Sequence, residues 1–384
     1  MTKLAASGDD LPVEDLHTAN EIKGQPLLWN KIAGQIAIER LGIETFLKSC
    51  LSDIDAIILT GAGTSSFTGL SLQGLFYRKF GKNTLVTPTT DIVTHPPDYF
   101  LPGKSVLLVS FARSGNSPES KAVVEMADRM CLKCYHLIIT CDPEGALAKF
   151  ETKHEKYLLV LPPESNDKGL AMTGSYSGML LSGVLIANIF DLDRMLSQTD
   201  ILCRYGSRIL EEYSLPLKEI VSQDFKRAVF LGSGPFYGTA AESHLKLQEL
   251  TDGMVVCKKD TFLGLRHGPK AVIHDNTMLS YIFSNNEYVN QYERDLVNAI
   301  GKDHNPVFQI GICEAPFGNM DIDLMISLAD KNQIDENLLP VCFILPAQLL
   351  GLYKSMALGL DPDNPSINKT ISRVVEGVTI YNLL

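Results

Sequence analysis

Short apolar runs alternate with amphipathic stretches along most of the chain. "AIILT" (56–60), "SVLLVSF" (105–111), "YHLIITCD" (135–142) and "KYLLVLP" (156–162) are too short for buried helices and too continuously apolar for half-exposed strands. Runs of this kind, separated by helical patterns, predict parallel strands covered on both faces. The plan restarts at "KRAVFLG" (226–232) and continues through "TMLSYIFS" (277–284) and "VFQIGICE" (307–314). An early helix is expected from about Trp29 to Cys50, and joining helices from about Leu180 to Gln223. The fold class is therefore α/β: two doubly wound parallel-sheet subdomains with helices on both faces of each sheet. The expected organisation is an N-terminal arm and helix (1–50), a first subdomain (51–200) and a second with a C-terminal helix and tail (201–384). "AIILTGAGTSSFTG" and "AVFLGSGPFYGTAA" begin the two halves alike, which suggests an internal duplication.

Composition narrows the function. The chain has 384 residues, 45% of them hydrophobic, enough for a large core. Net charge is −11 with no block of like charge, so neither nucleic acid nor an anionic membrane is an expected partner. "LLPVCFILPAQLLGLY" (338–353) is the most apolar late segment, but it is short for a membrane span and contains Pro340 and Pro346, so a buried helix is expected. The start, "MTKLAASGDDLPVEDL", is acidic where a secretion signal would be apolar, and a cytoplasmic protein is expected. Eight scattered cysteines read as reduced thiols. "CLKC" (131–134) has metal-like spacing but no second pair or His cluster beside it, so no metal is expected.

Two glycine turns carry the candidate chemistry. Gly61-Ala62-Gly63-Thr64-Ser65-Ser66 follows a strand and opens a helix, but Ser66 stands where a dinucleotide fingerprint needs glycine and no acid follows at the right distance. No Gly-Lys-Ser/Thr follows either, so a P-loop is excluded and no cofactor is expected. The second turn, "ARSGNSPES" (112–120), supplies Arg113, Ser114 and Ser117. Free N–H groups at a helix start, a close backbone and hydroxyl donors suit a phosphate. Both turns are expected at the C-terminal ends of strands, where open α/β sheets bind ligands. Capping alone would explain Ser117, with Pro118 at the first helical position, but not Ser114, Gly115 and the matching Thr64, Ser65 and Ser66. In the second half, Glu249 and His267 are candidates for a general base and a ring-opening group.

"GAGTSS", "RSGNSPES", "AMTGSYSG", "LKLQE" and "LRHGPKAVI", in this order, resemble the sugar isomerase (SIS) domain proteins, in particular the isomerase half of glucosamine-6-phosphate synthase. The resemblance spans roughly residues 56 to 380. It implies that Ser65, Ser114 and Ser117 hold phosphate, with Gly63 and Thr64 in the same loop, and that Thr173 lies in a third ligand loop. It implies Glu249 as the base that moves a proton between C2 and C1, with Lys246 close to the sugar. It implies His267 as the ring-opening histidine, donated by a neighbouring subunit of a homodimer or higher oligomer, and Lys369 in a C-terminal loop. Arg113 and Ala112 depart from the family pattern, and Arg113 is expected to bind phosphate bidentately. Ser366 stands where the family has an arginine.

With no glutaminase domain expected ahead of the SIS region, the chain looks most like the galactosamine-6-phosphate deaminases, often labelled tagatose-6-phosphate ketose/aldose isomerases. These convert galactosamine 6-phosphate and water to tagatose 6-phosphate and ammonia. Two alternatives stay open: an isomerase of a non-amino sugar phosphate, and a non-catalytic sugar-phosphate sensor.

Overall fold

The structure is a computed structural model that describes residues 15–304, 306–374 and 377–382. Its first sheet contains β1 (Ala56–Thr60), β2 (Asn83–Val86), β3 (Ser105–Ala112), β4 (Lys133–Thr140) and β5 (Lys156–Val160), in the order β2-β1-β3-β4-β5. The second contains β6 (Arg227–Gly232), β7 (Val256–Asp260), β8 (Thr277–Ile282), β9 (Phe308–Cys313) and β10 (Leu324–Ser327), in the order β10-β9-β8-β6-β7. All pairings are parallel. Both sheets thus share one topology, with the switch between β1 and β3 in the first and between β6 and β8 in the second.

The long apolar runs account for the inner strands. Every residue of β3 and of β8 is buried. Burying a Leu or Phe side chain is worth roughly 1.5–3 kcal/mol, so such strands find their place from composition alone. β2, β7 and β10 were not legible as apolar runs. Each is an edge strand, four or five residues long and largely half-exposed, with one neighbour and little need for apolar side chains.

Twelve helices are described: α1 (His17–Leu51), α2 (Thr64–Phe80), α3 (Thr89–Thr94), α4 (Pro118–Met130), α5 (Gly174–Ala187), α6 (Leu192–Glu212), α7 (Ser214–Ile220), α8 (Phe236–Leu250), α9 (Phe262–Leu265), α10 (Glu287–Asp303), α11 (Leu339–Phe343) and α12 (Leu345–Ala357). The early helix starts at His17, well before Trp29. Its cap is remote: Asp363 accepts from the His17 and Thr18 N–H groups at 2.9 and 2.7 Å. Trp29 is buried and donates its indole N–H to Ser177 on α5. The segment before Trp29 is thus partly helix packed on its own chain. Residues 1–14 lie outside the described residues.

The late apolar segment forms α11 and α12. Glu336–Ala357 is long and apolar enough to cross a membrane, but 94% of its most apolar window is buried inside the protein. α2 and α8 are the first helices of the two halves, and they pack face to face. A Cβ on Gly238 of α8 would stand 2.6 Å from the Phe67 carbonyl oxygen on α2. This close approach joins the two sheets and positions the site.

Candidate active site

α8 places three ionisable groups on one face, because Glu242, Lys246 and Glu249 follow the i, i+4, i+7 spacing of a helical stripe. Lys246 Nζ lies 2.6 Å from Glu249 Oε2 and 3.3 Å from Glu242 Oε1. The Glu242 and Lys246 side chains are fully buried, whereas Glu249 is 21% exposed. Thr64, at the start of α2, donates to Glu242 Oε1 at 3.2 Å. The other carboxyl oxygen of Glu242 is buried and has no hydrogen-bond partner among the described residues.

One lysine between two carboxylates leaves an excess negative charge in a dry place. Burial pushes Glu242 up to about 8; Glu249 adds to this, and Lys246 and Thr64 oppose it. For Lys246, burial pulls downward, but the two carboxylates outweigh it and the pKa rises. The cluster is thus a buried lysine shared between two carboxyl groups, one of them pushed upward by burial. Glu249 is the member of the cluster that reaches solvent. Glu242 was not singled out in the sequence, although its spacing to Lys246 and Glu249 was a usable signal.

Both glycine turns lie at the C-terminal ends of β1 and β3, beside the topological switch. Gly63 and Gly115 have φ of 53° and 65°, left-handed values that favour glycine. Ser65 is buried, and among the described residues its hydroxyl has only the weak acceptor Met172 Sδ, 4.0 Å away. Ser114 Oγ accepts from Asn116 N at 3.3 Å. Ser117 caps α4, accepting from Ser120 N, and donates to the Ser120 hydroxyl at 2.7 Å.

Other expected ligand groups are engaged inside the protein. The Thr173 hydroxyl and N–H both bond to Asp167, at 3.0 and 2.8 Å. Asp167 also accepts from Gly174 N and Ser175 N, so it caps α5 where a ligand phosphate would otherwise find free N–H groups. Arg113 is buried and bonded to backbone carbonyls. Its guanidinium donates to the carbonyls of Gly169, Leu170 and Arg373. Burial lowers its pKa, while Asp167 and Glu249 act in the opposite sense. A guanidinium has five N–H donors in a rigid fork, which suits it to gathering carbonyls from two segments. Arg113 therefore ties the 166–173 loop to the C-terminal tail.

That loop has further ties. Glu21 accepts from Lys168 N and Gly169 N, and burial beside Asp167 pushes its pKa up to about 7. Arg373 donates to the Asp167 carbonyl and to Asn166 Oδ1. Ser366 accepts from Thr370 N at 3.1 Å and folds the tail locally. Lys369 is exposed on that tail with φ of 54°. His267 is exposed at the end of the turn after α9, and no hydrogen bond joins it to Glu249 or Lys246 among the described residues.

"CLKC" has more company than the sequence indicated. Cys134 lies with His136 and Asp128, their ligand-type atoms within 4.8 Å of one another. Cys134 and His136 share one face of β4, and α4 brings Asp128 to them. Asp128 Oδ1 is 2.7 Å from His136 Nε2, and Thr152 bonds its other oxygen. The aspartate is thus already satisfied by protein groups.

No family model matches the chain. It is 36% identical to the D-galactosamine-6-phosphate deaminase AgaS of Escherichia coli over 368 residues, covering 95% of each chain. The crystal structure of tagatose-6-phosphate ketose/aldose isomerase from Escherichia coli superposes with a TM-score of 0.87 at 34% identity, covering 99% of both chains. The C-terminal domain of glucosamine-fructose-6-phosphate aminotransferase from Francisella tularensis shares the fold, with a TM-score of 0.77 at 17% identity over 91% of this chain and 98% of that one. The chain belongs to the sugar isomerase (SIS) domain family, among the relatives of the AgaS galactosamine-6-phosphate deaminases.

Proposed function

We propose that the chain is a deaminating isomerase that converts galactosamine 6-phosphate and water to tagatose 6-phosphate and ammonia. The observation that carries this reading is Glu249, partly exposed and paired with buried Lys246, on the helix that faces the Thr64–Ser65 turn. Near-full-length identity to the AgaS deaminase supports the substrate.

In this reading the 6-phosphate docks at the turns of Gly63, Thr64, Ser65, Ser114 and Ser117, with Ser65 the readiest donor. The ring opens to the aldehyde. Glu249 takes the C2 proton, the electron pair forms the C1–C2 double bond of an enolamine while the C1 carbonyl π pair moves to O1 and takes up a proton, and a proton returned to C1 with loss of one from nitrogen gives the ketimine. Water adds at C2, and ammonia leaves with the nitrogen. Lys246 holds Glu249 in place through a 2.6 Å contact. Thr173 and Arg113 shape the third loop, and Lys369 lies on the tail that borders it.

His267 is exposed and not bonded to the cluster, which supports its acting on the sugar of a neighbouring subunit. The active unit would then be a homodimer or larger. Phosphorylated sugars do not cross membranes unaided, so the same reading places the reaction in the cytoplasm.

The test is ammonia release by the purified protein from galactosamine 6-phosphate, glucosamine 6-phosphate and N-acetylgalactosamine 6-phosphate. Ammonia with tagatose 6-phosphate from the first alone is expected. Silence on all three would sink the deaminase and turn attention to aldose–ketose exchange.

A further inference from the structure

The two halves match beyond their opening turns. Aligning Gly61-Ala62-Gly63-Thr64 with Gly232-Ser233-Gly234-Pro235 puts Ser65 against Phe236. The structure keeps this register. A Cβ on Gly61 would stand 2.7 Å from the Ser65 carbonyl carbon, and one on Gly232 would stand 2.7 Å from that of Phe236. In the same register Ser71, Leu75 and Arg78 on α2 answer to Glu242, Lys246 and Glu249 on α8. The active-site crevice, where the α2 turn meets the α8 stripe, has a counterpart where the α8 turn meets the α2 stripe.

That counterpart is a cavity of ≈ 410 Å³, and Ser71, Leu75, Arg78, Gly234, Pro235 and Asn337 are among its walls. Its chemistry differs from that of the active site. The base and its lysine partner are replaced by Arg78 and Leu75, so proton transfer is lost and a cation is gained. Arg78 donates to Asn337 Oδ1 at 3.2 Å and has no ion pair among the described residues. No acidic side chain lines the cavity. The two carboxylates that precede Asn337 in the chain are already engaged: Glu336 accepts from the Ser284 hydroxyl and Asn285 N, and Asp335 pairs with Arg194 at 3.1 Å. Glu336 thus fills the turn after β8, which corresponds to the cradle after β3. The N-terminus of the 15-residue α8 adds partial positive charge. Arg78 is exposed on the wall of this cavity, where its guanidinium can reach an anion from solvent.

We propose that this cavity is a second, non-catalytic site for a small phosphate ester, with Arg78 as its counter-charge. It is the duplicated partner of the active site, emptied of catalytic groups and kept as a binding pocket. The proposal does not depend on which sugar the enzyme converts.

Isothermal titration with inorganic phosphate and with galactitol 6-phosphate, which has no aldehyde to turn over, tests it. Two sites per chain are expected in the wild type. Arg78→Ala and Arg78→Glu should weaken one of them by about tenfold or more, the scale of one charge-assisted hydrogen bond, with turnover unchanged. Both variants alter an exposed side chain, so folding is not at issue. Ser65→Ala with Ser114→Ala should weaken the other site. A single site whose affinity Arg78→Ala and Arg78→Glu leave unchanged would overturn the second site. Failure of the serine variants to affect either site would instead count against the active-site cradle.

Discussion

Thr64 Oγ1 lies 3.2 Å from Glu242 Oε1, so a hydroxyl in the turn of one sheet donates to a buried carboxyl group on the first helix of the other. The bond links two residues 178 positions apart and couples the first glycine turn to the ionisable stripe of α8. Replacing Thr64 by Val would leave both carboxyl oxygens of Glu242 short of a hydroxyl donor. Unfolding stability should fall by roughly 1–3 kcal/mol in urea. In a double-mutant cycle with Glu242→Gln, the two effects should be non-additive by at least about 0.5 kcal/mol. Strict additivity would show that the contact carries no energy.

Lys246 is the only cation within hydrogen-bond reach of the two carboxyl groups among the described residues. Lys246→Met would strip a buried cluster of that charge. The expected cost is about 3–5 kcal/mol, as for other broken buried pairs. An unmoved urea midpoint would mean that both carboxyl groups simply take up protons.

Glu249→Gln should keep affinity for galactitol 6-phosphate and lose roughly 10²–10⁴-fold in ammonia release. Near-normal turnover by this variant would remove Glu249 from the role of base.

Glu242 titrates near 4.5 in an unfolded chain and is pushed up to about 8 in the folded one. Between these values the folded protein holds a proton that the unfolded chain has released. This contribution to stability is complete below about pH 4.5 and is lost as pH rises toward about 8, by up to ~1.4 kcal/mol per pH unit. Glu21, at about 7, acts with the same sign. His136, whose pKa burial lowers, acts with the opposite sign, so the informative quantity is the difference between wild type and Glu242→Gln. Guanidine titrations from pH 5 to 8 should show the wild type losing stability relative to the variant. Parallel curves would contradict the buried proton.

Arg113 gathers carbonyls from the 169–170 segment and from the tail at Arg373. Arg113→Lys cannot reproduce that fork. Limited proteolysis should cut the variant beyond Asp361 several-fold faster than the wild type. Unchanged cleavage together with a large loss of phosphate affinity would restore Arg113 as a phosphate ligand.

The sequence by itself determined the inner strands, the helices that follow them and the two glycine turns. These depend on local spacing: continuous apolar runs, helical periodicity and backbone angles open mainly to glycine. Glu249 and Lys246 were recognised by their motif, but Glu242, one turn earlier on the same stripe, was passed over. The tertiary structure decided what local pattern cannot carry. Edge strands β2, β7 and β10 form because a neighbour offers them hydrogen bonds, not because their side chains demand burial. α1 starts at His17 because Asp363, from the far end of the chain, caps it. Hydroxyls that look alike in sequence divide by what packs against them: Thr173 serves Asp167, Thr64 serves Glu242, and Ser65 meets a distant sulfur. Residue type fixes which hydrogen bonds a side chain can make, but the docking of the two sheets chooses the partners.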